Sequence, residues 1–305
     1  MFVRAIDTAA CFTRPLHTLT RMWGETTALP GAATLFFVNG DGWALTCKHV
    51  ASQLVAANQL LAKRAAFAAE RAQLPTGEKS RHALKALERK HGYAKGVPVE
   101  MHNRFVNCVE GSIQLEVRVH PSLDVALLKF SGFTALRPSA FAVFAQHGDE
   151  LKQGKLLCRL GFPFPEFTNF EYDAASDQVR WTTTGRADTP QFPIDGMVTR
   201  HLRGPDGIVG VELSTPGLRG QSGGPAFDAE GRVWGDAVGH EPSRPAFRCR
   251  YGRPAERAEA SCEGQRIPSC RALRPRQRAQ AVHARQWRDL SGSGLAQLQA
   301  RQSIL

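Results

Sequence analysis

Apolar and polar residues alternate in short runs over most of this chain. Residues 32–51, AATLFFVNGDGWALTCKHVA, contain two strand-like runs around the turn sequence NGDG, which predicts a β-hairpin. From residue 97 onward, the runs VEGSIQLEVRVH, DVALLKF, GKLLCRLGF, QVRWTTTG and GIVGVELS are each bounded by Gly, Pro, Asp or Asn. Residues 225–235, PAFDAEGRVWG, predict a further hairpin. Many short strands with frequent turns favour a β-sandwich or a β-barrel.

Residues 53–91 follow a helical period instead. Apolar residues recur there at seven-residue spacing in two series: Leu54, Leu61 and Ala68, and Leu60, Phe67 and Leu74. The sequence PTG at 75–77 interrupts the pattern, which resumes from Ser80 to His91 and stops at Gly92. We therefore predict a helical hairpin, inserted over residues 52–96 as a solvated amphipathic pair.

The net charge of the 305-residue chain is +11, which raises the question of a nucleic-acid partner. Residues 52–100 carry a net charge of +5 and residues 236–305 carry +7, whereas the rest of the chain sums to −1. No basic stripe with interleaved aromatic residues accompanies these charges. The sequence therefore argues against nucleic-acid binding.

The cysteines and the apolar runs bear on the compartment. The seven cysteines are widely spread, at positions 11, 47, 108, 158, 249, 262 and 270, and form no C-x-x-C pair. We therefore expect no disulfide framework, no metal site and no cofactor. The N-terminal sequence carries charges within its first seven residues and lacks the apolar run of a signal peptide. No stretch reaches the ~20 apolar residues that span a bilayer, so we expect a cytoplasmic protein with reduced thiols and no membrane contact.

Three short motifs carry candidate chemistry. His49 ends the run ALTCKH, Asp124 opens DVALLKF, and Ser222 lies within RGQSGGPAF. Singly, each motif has a structural interpretation: a polar strand end, a turn residue, and a tight surface turn. A serine hydroxyl becomes an effective nucleophile when an adjacent base takes its proton. The order His, Asp, Ser is that of chymotrypsin-type enzymes, and it differs from the order in subtilisin and the α/β-hydrolases.

On these motifs the chain resembles the trypsin-like serine proteases, in particular their bacterial, disulfide-free branch, over residues 30–51 and 97–235. The resemblance implies an all-β fold of two antiparallel six-stranded β-barrels of the chymotrypsin type, with the helical hairpin inserted after the histidine. It also implies a serine-type endopeptidase acting on a protein or peptide substrate. His49 would be the general base and then the general acid, Asp124 would orient the imidazole, and Ser222 would attack the scissile carbonyl.

The resemblance extends to the residues around the serine. The N–H groups of Gly220 and Ser222 would form the oxyanion hole. The substrate-binding residues would be Pro216, Gly217 and Arg219. Pro216 stands where specificity for Lys or Arg would require an acid, so the resemblance implies no such preference. Arg219, three residues before the serine, is a point of resemblance to the bacterial heat-shock proteases. Those proteases carry a C-terminal peptide-binding domain, and nothing after residue 235 resembles one.

Two further positions depart from the animal enzymes of this family. Gln221 stands where zymogen-activated relatives have an aspartate that pairs with a freed N-terminus, so activation by N-terminal cleavage is not expected. Val50 follows the histidine where animal enzymes place a half-cystine, which fits a reducing compartment.

We divide the chain into an N-terminal extension (1–29), a protease domain (30–235) and a tail (236–305). The tail has 13 arginines, no lysine and no hydrophobic periodicity, and we predict it to be disordered. A second explanation for this composition is that residues from about Asp236 onward are translated out of frame. Codons for part of the tail, read one nucleotide later, can encode the alternation of valine with other residues that is typical of a β-strand. A damaged second barrel would favour a different function, that of a binding or scaffold module without turnover. The sequence implies no oligomeric state.

Overall fold

The computed structural model describes residues 1–75, 78–146, 150–204, 207–237, 247–250 and 297–300. The first half of the chain contains, in order, α1 (Val3–Phe12), β1 (Thr13–Met22), β2 (Ala28–Phe37), β3 (Trp43–Thr46), α2 (Lys48–Arg71), α3 (Glu78–Lys90), β4 (Pro98–Phe105), β5 (Val109–Glu110), β6 (Gln114–Val119), β7 (Ala126–Ser131) and β8 (Ala135–Leu136). The second half contains β9 (Leu156–Gly161), β10 (Phe170–Asp173), β11 (Gln178–Trp181), β12 (Phe192–Gly204), β13 (Gly207–Leu213), β14 (Pro225–Phe227), β15 (Val233–Ala237), β16 (Phe247–Arg250) and β17 (Gln297–Ala300).

The strands form two curled sheets, one in each half, and the predicted chymotrypsin-type fold is confirmed. In the second half, six strands close into a barrel in the order β12-β13-β16-β15-β14-β9. The six longer strands of the first half form a sheet in the order β6-β7-β3-β2-β1-β4. β17, which comes from the second half of the chain, pairs with β6 and adds a seventh strand to the six predicted. The pairs β10–β11 and β5–β8 form two small ribbons.

The predicted hairpin at NGDG is formed by β2 and β3. The side-chain oxygen of Asn39 accepts hydrogen bonds from the backbone N–H of Asp41 (3.1 Å) and of Trp43 (3.2 Å). Gly42 has φ +84°, which the turn requires and which glycine adopts without strain. The turn thereby sets the register of β2 and β3, the strand that leads to His49.

The N-terminal residues belong to the first sheet. We assigned residues 1–29 to an extension, but β1 lies between β2 and β4 and pairs with both. Leu16 and Leu19 on β1 are buried in two different apolar clusters. The run TRPLHTLTRM contains polar residues that are buried here, among them His17 and Arg21, and these hide the strand from a pattern based on hydrophobicity alone.

The inserted helices are packed on the first half rather than being fully solvated. Helix α2 starts at Lys48, before the predicted residue 52, so it includes His49. Phe67 of α2 and Leu87 of α3 are buried against Tyr93 and Val99, the latter on β4. This apolar contact attaches the insertion to the edge strand of the sheet.

A buried ionic cluster joins the insertion to the second half. The Arg21 guanidinium lies 2.7 Å from a Glu100 carboxylate oxygen, and both side chains are almost fully buried. Arg64 of α2 lies 4.0 Å from Glu100 and 3.2 Å from Asp177, which belongs to the turn between β10 and β11. The second Glu100 oxygen accepts a hydrogen bond from the backbone N–H of Val179 (2.9 Å). Burial alone would raise the pKa of Glu100, but bonds from His102, Arg21 and Val179 outweigh it and hold the pKa at about 2.

Replacing Glu100 with glutamine should therefore destabilise the protein in a pH-dependent way. At pH 7 we expect a loss of about 3 kcal/mol, because the buried Arg21 and Arg64 lose their buried partner and keep only the more exposed Asp177. The native pKa lies below the unfolded value, so this contribution is complete above pH ~4.5 and disappears as the pH falls toward 2. Urea unfolding of wild type and Glu100→Gln at pH 7 and at pH 3 measures the difference.

The matched control is Glu171→Gln, which removes the carboxylate from an exposed pair with Arg180. Exposed pairs contribute little, so this change should cost less than about 1 kcal/mol at either pH. Equal costs for the two variants at pH 7 would contradict the role of the buried cluster.

Most of residues 236–305 lie outside the described residues. The prediction that this tail is disordered or translated out of frame therefore falls mostly outside them too. The predicted end of the protease domain at residue 235 cuts through β15, which continues to Ala237. Two described strands beyond it, β16 and β17, pair with β13 and β6. Among the described residues, none of the helices has the length and apolar character needed to cross a bilayer.

Candidate active site

His49 and Asp124 lie side by side because their strands are neighbours. Strands β3 and β7 are antiparallel with Thr46 opposite Ala126, so the end of β3 meets the start of β7. One Asp124 carboxylate oxygen lies 2.9 Å from His49 Nδ1, and the other accepts a hydrogen bond from the His49 backbone N–H (3.0 Å). The carboxylate thus orients both the ring and the first turn of α2.

This pairing sets the tautomer of the imidazole. Since a carboxylate only accepts hydrogen bonds, the proton of neutral His49 is expected on Nδ1, and Nε2 is left as the acceptor. The His49 side chain is 44% exposed, whereas that of Asp124 is 18% exposed. The imidazole is therefore the more exposed member of the pair, and the carboxylate is largely covered.

The glycines around Ser222 are required by close packing. A Cβ atom on Gly220 would lie 2.5 Å from the Phe162 carbonyl oxygen. A Cβ on Gly223 would lie 2.2 Å from the Thr34 carbonyl oxygen, and one on Gly224 would lie 2.1 Å from the Leu160 carbonyl oxygen. Gly220 and Gly223 also have φ values of +93° and +85°. The loop is therefore inserted between strands of both halves, and only glycine fits at these three positions.

Hydrogen bonds from both halves hold this loop. The Thr34 N–H donates to the Ser222 carbonyl oxygen (3.0 Å), and the Thr34 hydroxyl donates to the Gly220 carbonyl oxygen (2.7 Å). The Gln221 side chain accepts from the Leu218 N–H and donates to the Phe192 carbonyl oxygen, both at 3.0 Å. Gln221, which departs from the zymogen pattern, thus has a structural role in this chain.

Two backbone donors remain available in the loop. The N–H groups of Gly220 and Ser222 donate to no group in the part of the chain that the structure describes. The Ser222 hydroxyl likewise makes no hydrogen bond within the described residues. The carbonyl oxygens of both residues are held by Thr34, which fixes the peptide unit that directly follows each of these N–H groups.

The loop and the His49–Asp124 pair meet at Cys47. A Cβ on Gly223 would lie 3.1 Å from the backbone nitrogen of Cys47, two residues before His49. The structure therefore brings the loop that carries Ser222 against the segment that carries His49.

The predicted substrate-binding residues lie between β13 and β14. Pro216 and Arg219 are exposed, whereas Gly217 is buried. The buried Arg159 donates to the carbonyl oxygen of Thr215 (2.7 Å) and so anchors the start of the segment 215–219 to the core. Contact of these residues with a substrate stays a prediction.

Sequence reasoning missed two buried polar groups beside the pair. The Cys47 thiol donates to an Asp236 carboxylate oxygen (3.4 Å) and to the Ala237 carbonyl oxygen (3.2 Å). Burial raises the pKa of Cys47 well above its ordinary value, and Asp236 and Asp124 raise it further. Burial also raises the pKa of Asp236 to about 7. No sequence signal joins residues 47 and 236, because their contact depends on how β3 and β15 pack together.

Comparison with known proteins gives the family. Residues 33–235 match the family described as trypsin-like peptidase domain. None of the curated proteins matches the sequence.

Several solved structures are similar, although their scores and identities are low. An HtrA-type protease AlgW with a decapeptide is 13% identical, with a TM-score of 0.46 over 83% of this chain. The active form of the Rv3671c protease from M. tuberculosis is 14% identical, with a TM-score of 0.43 over 81% of this chain and 78% of its own. This chain spans only 62% of the AlgW protein with the decapeptide and 58% of the same protease with a tripeptide.

Proposed function

Because this chain belongs to the trypsin-like peptidase family, we propose that it is a serine endopeptidase that uses His49, Asp124 and Ser222. The observation that carries the proposal is the His49–Asp124 pair at 2.9 Å, next to the Cys47 segment against which the loop that bears Ser222 is packed. His49 takes the proton of the Ser222 hydroxyl as that oxygen attacks the scissile carbonyl, and then gives the proton to the leaving amine. Asp124 holds the tautomer and stabilises the imidazolium.

The oxyanion of the tetrahedral intermediate is bound by the N–H groups of Gly220 and Ser222. Each such donor contributes about two to three powers of ten in rate, provided that it is oriented before the reaction. The bonds from Thr34 hold the peptide units that directly follow these two N–H groups, which restrains the backbone on that side of each donor. The mechanism also requires Ser222 Oγ to come within hydrogen-bond distance of Nε2 when the substrate binds, and such bonds are often longer in structures without substrate.

The substrate is a protein or peptide, which fits the peptides bound by the AlgW relatives. Pro216 in the wall of the expected pocket provides no charge to pair with a Lys or Arg side chain. The alternative of a scaffold without turnover required a damaged second barrel, whereas the described strands close that barrel.

A fluorophosphonate probe tests the proposal, because it reacts with an activated serine and needs no known substrate. We expect a single adduct, located on Ser222 by peptide mass spectrometry, and no adduct after the protein is unfolded in urea. A folded protein that is not labelled, or that is labelled equally at other serines, would favour the scaffold function.

Thr34 offers a second test, because it acts on the site from the first half. Its hydroxyl donates to the Gly220 carbonyl oxygen and accepts from the Phe162 N–H (3.2 Å). Thr34→Val keeps the shape but leaves both groups unpaired, so the labelling rate should fall about tenfold. Thr34→Ser retains the hydroxyl and should label at nearly the wild-type rate, as measured by stopped-time gel fluorescence. Equal rates in the two variants would show that the Thr34 hydroxyl does not orient the loop.

A further inference from the structure

Three potential metal ligands surround the exposed histidine, and the proposed proteolysis does not use all of them. Cys47 Sγ, a ring nitrogen of His49 and an Asp124 carboxylate oxygen lie within 4.8 Å of one another. Asp236, whose carboxylate lies 3.4 Å from Cys47 Sγ, adds a fourth donor at the buried side. The sequence predicts no metal site, because its cysteines form no C-x-x-C pair. The ligands come together only through the pairing of β3 with β7.

We propose that Cys47, His49 and Asp124 form an inhibitory site for Zn²⁺. A thiolate, an imidazole and a carboxylate are ligands that Zn²⁺ prefers, and Mg²⁺ or Ca²⁺ would prefer oxygen alone. Zinc–ligand bonds of about 2.0–2.3 Å place neighbouring donors of a tetrahedral site roughly 3.5 Å apart. His49 Nδ1 and the Asp124 oxygen, at 2.9 Å, would therefore have to open slightly, and a donor pair near the 4.8 Å limit would have to close by about 1 Å. The fourth position is left for water or for Asp236.

With water in the fourth position, the charges balance at this site. One thiolate and one carboxylate neutralise the dication, and the imidazole binds as a neutral ligand. The thiol proton is released to solvent as the Zn–S bond forms, since a coordinating thiol is deprotonated. The ion takes the place of the proton between Nδ1 and the Asp124 oxygen, now 2.9 Å apart. His49, whose side chain is 44% exposed, is the more accessible of the two ligands of this pair.

Inhibition follows from the tautomer. Once Nδ1 is bound to the metal, the neutral imidazole carries its proton on Nε2. Nε2 then becomes a hydrogen-bond donor and can no longer take the proton of the Ser222 hydroxyl. Zinc would therefore stop the reaction without contacting Ser222, and a chelator would restore it.

The binding test uses Co²⁺ as a spectroscopic probe and does not depend on catalysis. The parent protein is the full chain with Cys249→Ser, Cys262→Ser and Cys270→Ser, which removes the thiols of the tail. We expect a thiolate-to-cobalt absorption band that Zn²⁺ displaces. Cys47→Ala should lose this band, as should Cys47→Ser, which keeps the size and a donor for Asp236. The control Cys11→Ser, on helix α1, should keep it. A parent without the band, or a band that survives in both Cys47 variants, would overturn the site.

The second arm of the test measures inhibition, and this arm rests on the proposed function. Zn²⁺ should suppress fluorophosphonate labelling of the parent, EDTA should restore it, and Cys47→Ala should be labelled in the presence of Zn²⁺. If the band is present and labelling is insensitive to Zn²⁺, the inhibitory role is wrong although the site exists. If no labelling occurs even without metal, the proposed function fails, and the cobalt band still decides whether the site exists.

Discussion

Replacing Ser222 with alanine should abolish fluorophosphonate labelling and lower peptide hydrolysis by about a millionfold, and His49→Ala should come close to the same loss. In the proposed mechanism the Ser222 hydroxyl attacks only while His49 Nε2 accepts its proton, so removing either residue should remove most of the rate. The double variant should therefore be hardly slower than either single variant. Labelling kinetics and hydrolysis of a fluorogenic peptide pool measure these rates.

The controls for this prediction are exposed residues of the same types. Ser52 and His82 are exposed on the inserted helices, and Ser52→Ala and His82→Ala should keep the wild-type rate. Urea unfolding should show that all variants retain their stability to within about 1 kcal/mol. Full labelling of Ser222→Ala would refute the mechanism. Additive losses in the double variant would show that the two residues do not act as one unit.

Gly223→Ala should be the most damaging change of a single methyl group near the site. Its Cβ would overlap the Thr34 carbonyl oxygen and the Thr46 hydroxyl, both at 2.2 Å. These atoms are already bound to each other, because the Thr46 hydroxyl donates to the Thr34 carbonyl oxygen (2.8 Å), so neither can move alone. We expect a loss of about 3 kcal/mol or more in the free energy of unfolding, together with loss of labelling.

A second glycine separates overlap from backbone strain. Gly154 has φ +87°, almost the value of Gly223, yet a Cβ there would meet nothing within 4 Å. Gly154→Ala should therefore cost only about 1–2 kcal/mol, from the left-handed conformation alone, and should keep full labelling. If the two variants unfold at the same urea concentration, the tight packing around Gly223 adds nothing to the cost in unfolding free energy of an alanine there.

The hairpin at NGDG, the inserted helices and the neighbouring positions of His49 and Asp124 could be predicted from the sequence, because each depends on local spacing or on a motif. Strand β1 could not, because its polar residues are buried by contacts with distant strands. The start of α2 was placed four residues too late, since its first turn is set by the hydrogen bond from the His49 N–H to Asp124.

The polar groups behind the site were equally out of reach of the sequence. Cys47 reads as a small residue before a histidine, and its contact with Asp236 spans 189 positions of the chain. Thr34 reads as one residue of an apolar strand, although it binds two carbonyl oxygens of the loop at Ser222. Such contacts depend on the packing of two sheets, which neither propensity nor spacing encodes.

The apolar core that joins the two halves has a consequence for any attempt to divide the protein. Leu160 and Phe227 from the second half are buried in the same cluster as Leu35 and Phe36 from the first. His49 and Asp124 come from one half and Ser222 from the other. A chain cut between β8 and β9 would therefore give two fragments that each expose half of a core and carry an incomplete set of reacting groups. If labelling returned when the two fragments were mixed, it would show that they had associated. The divided protein could then be used as a split reporter of the association of its two halves.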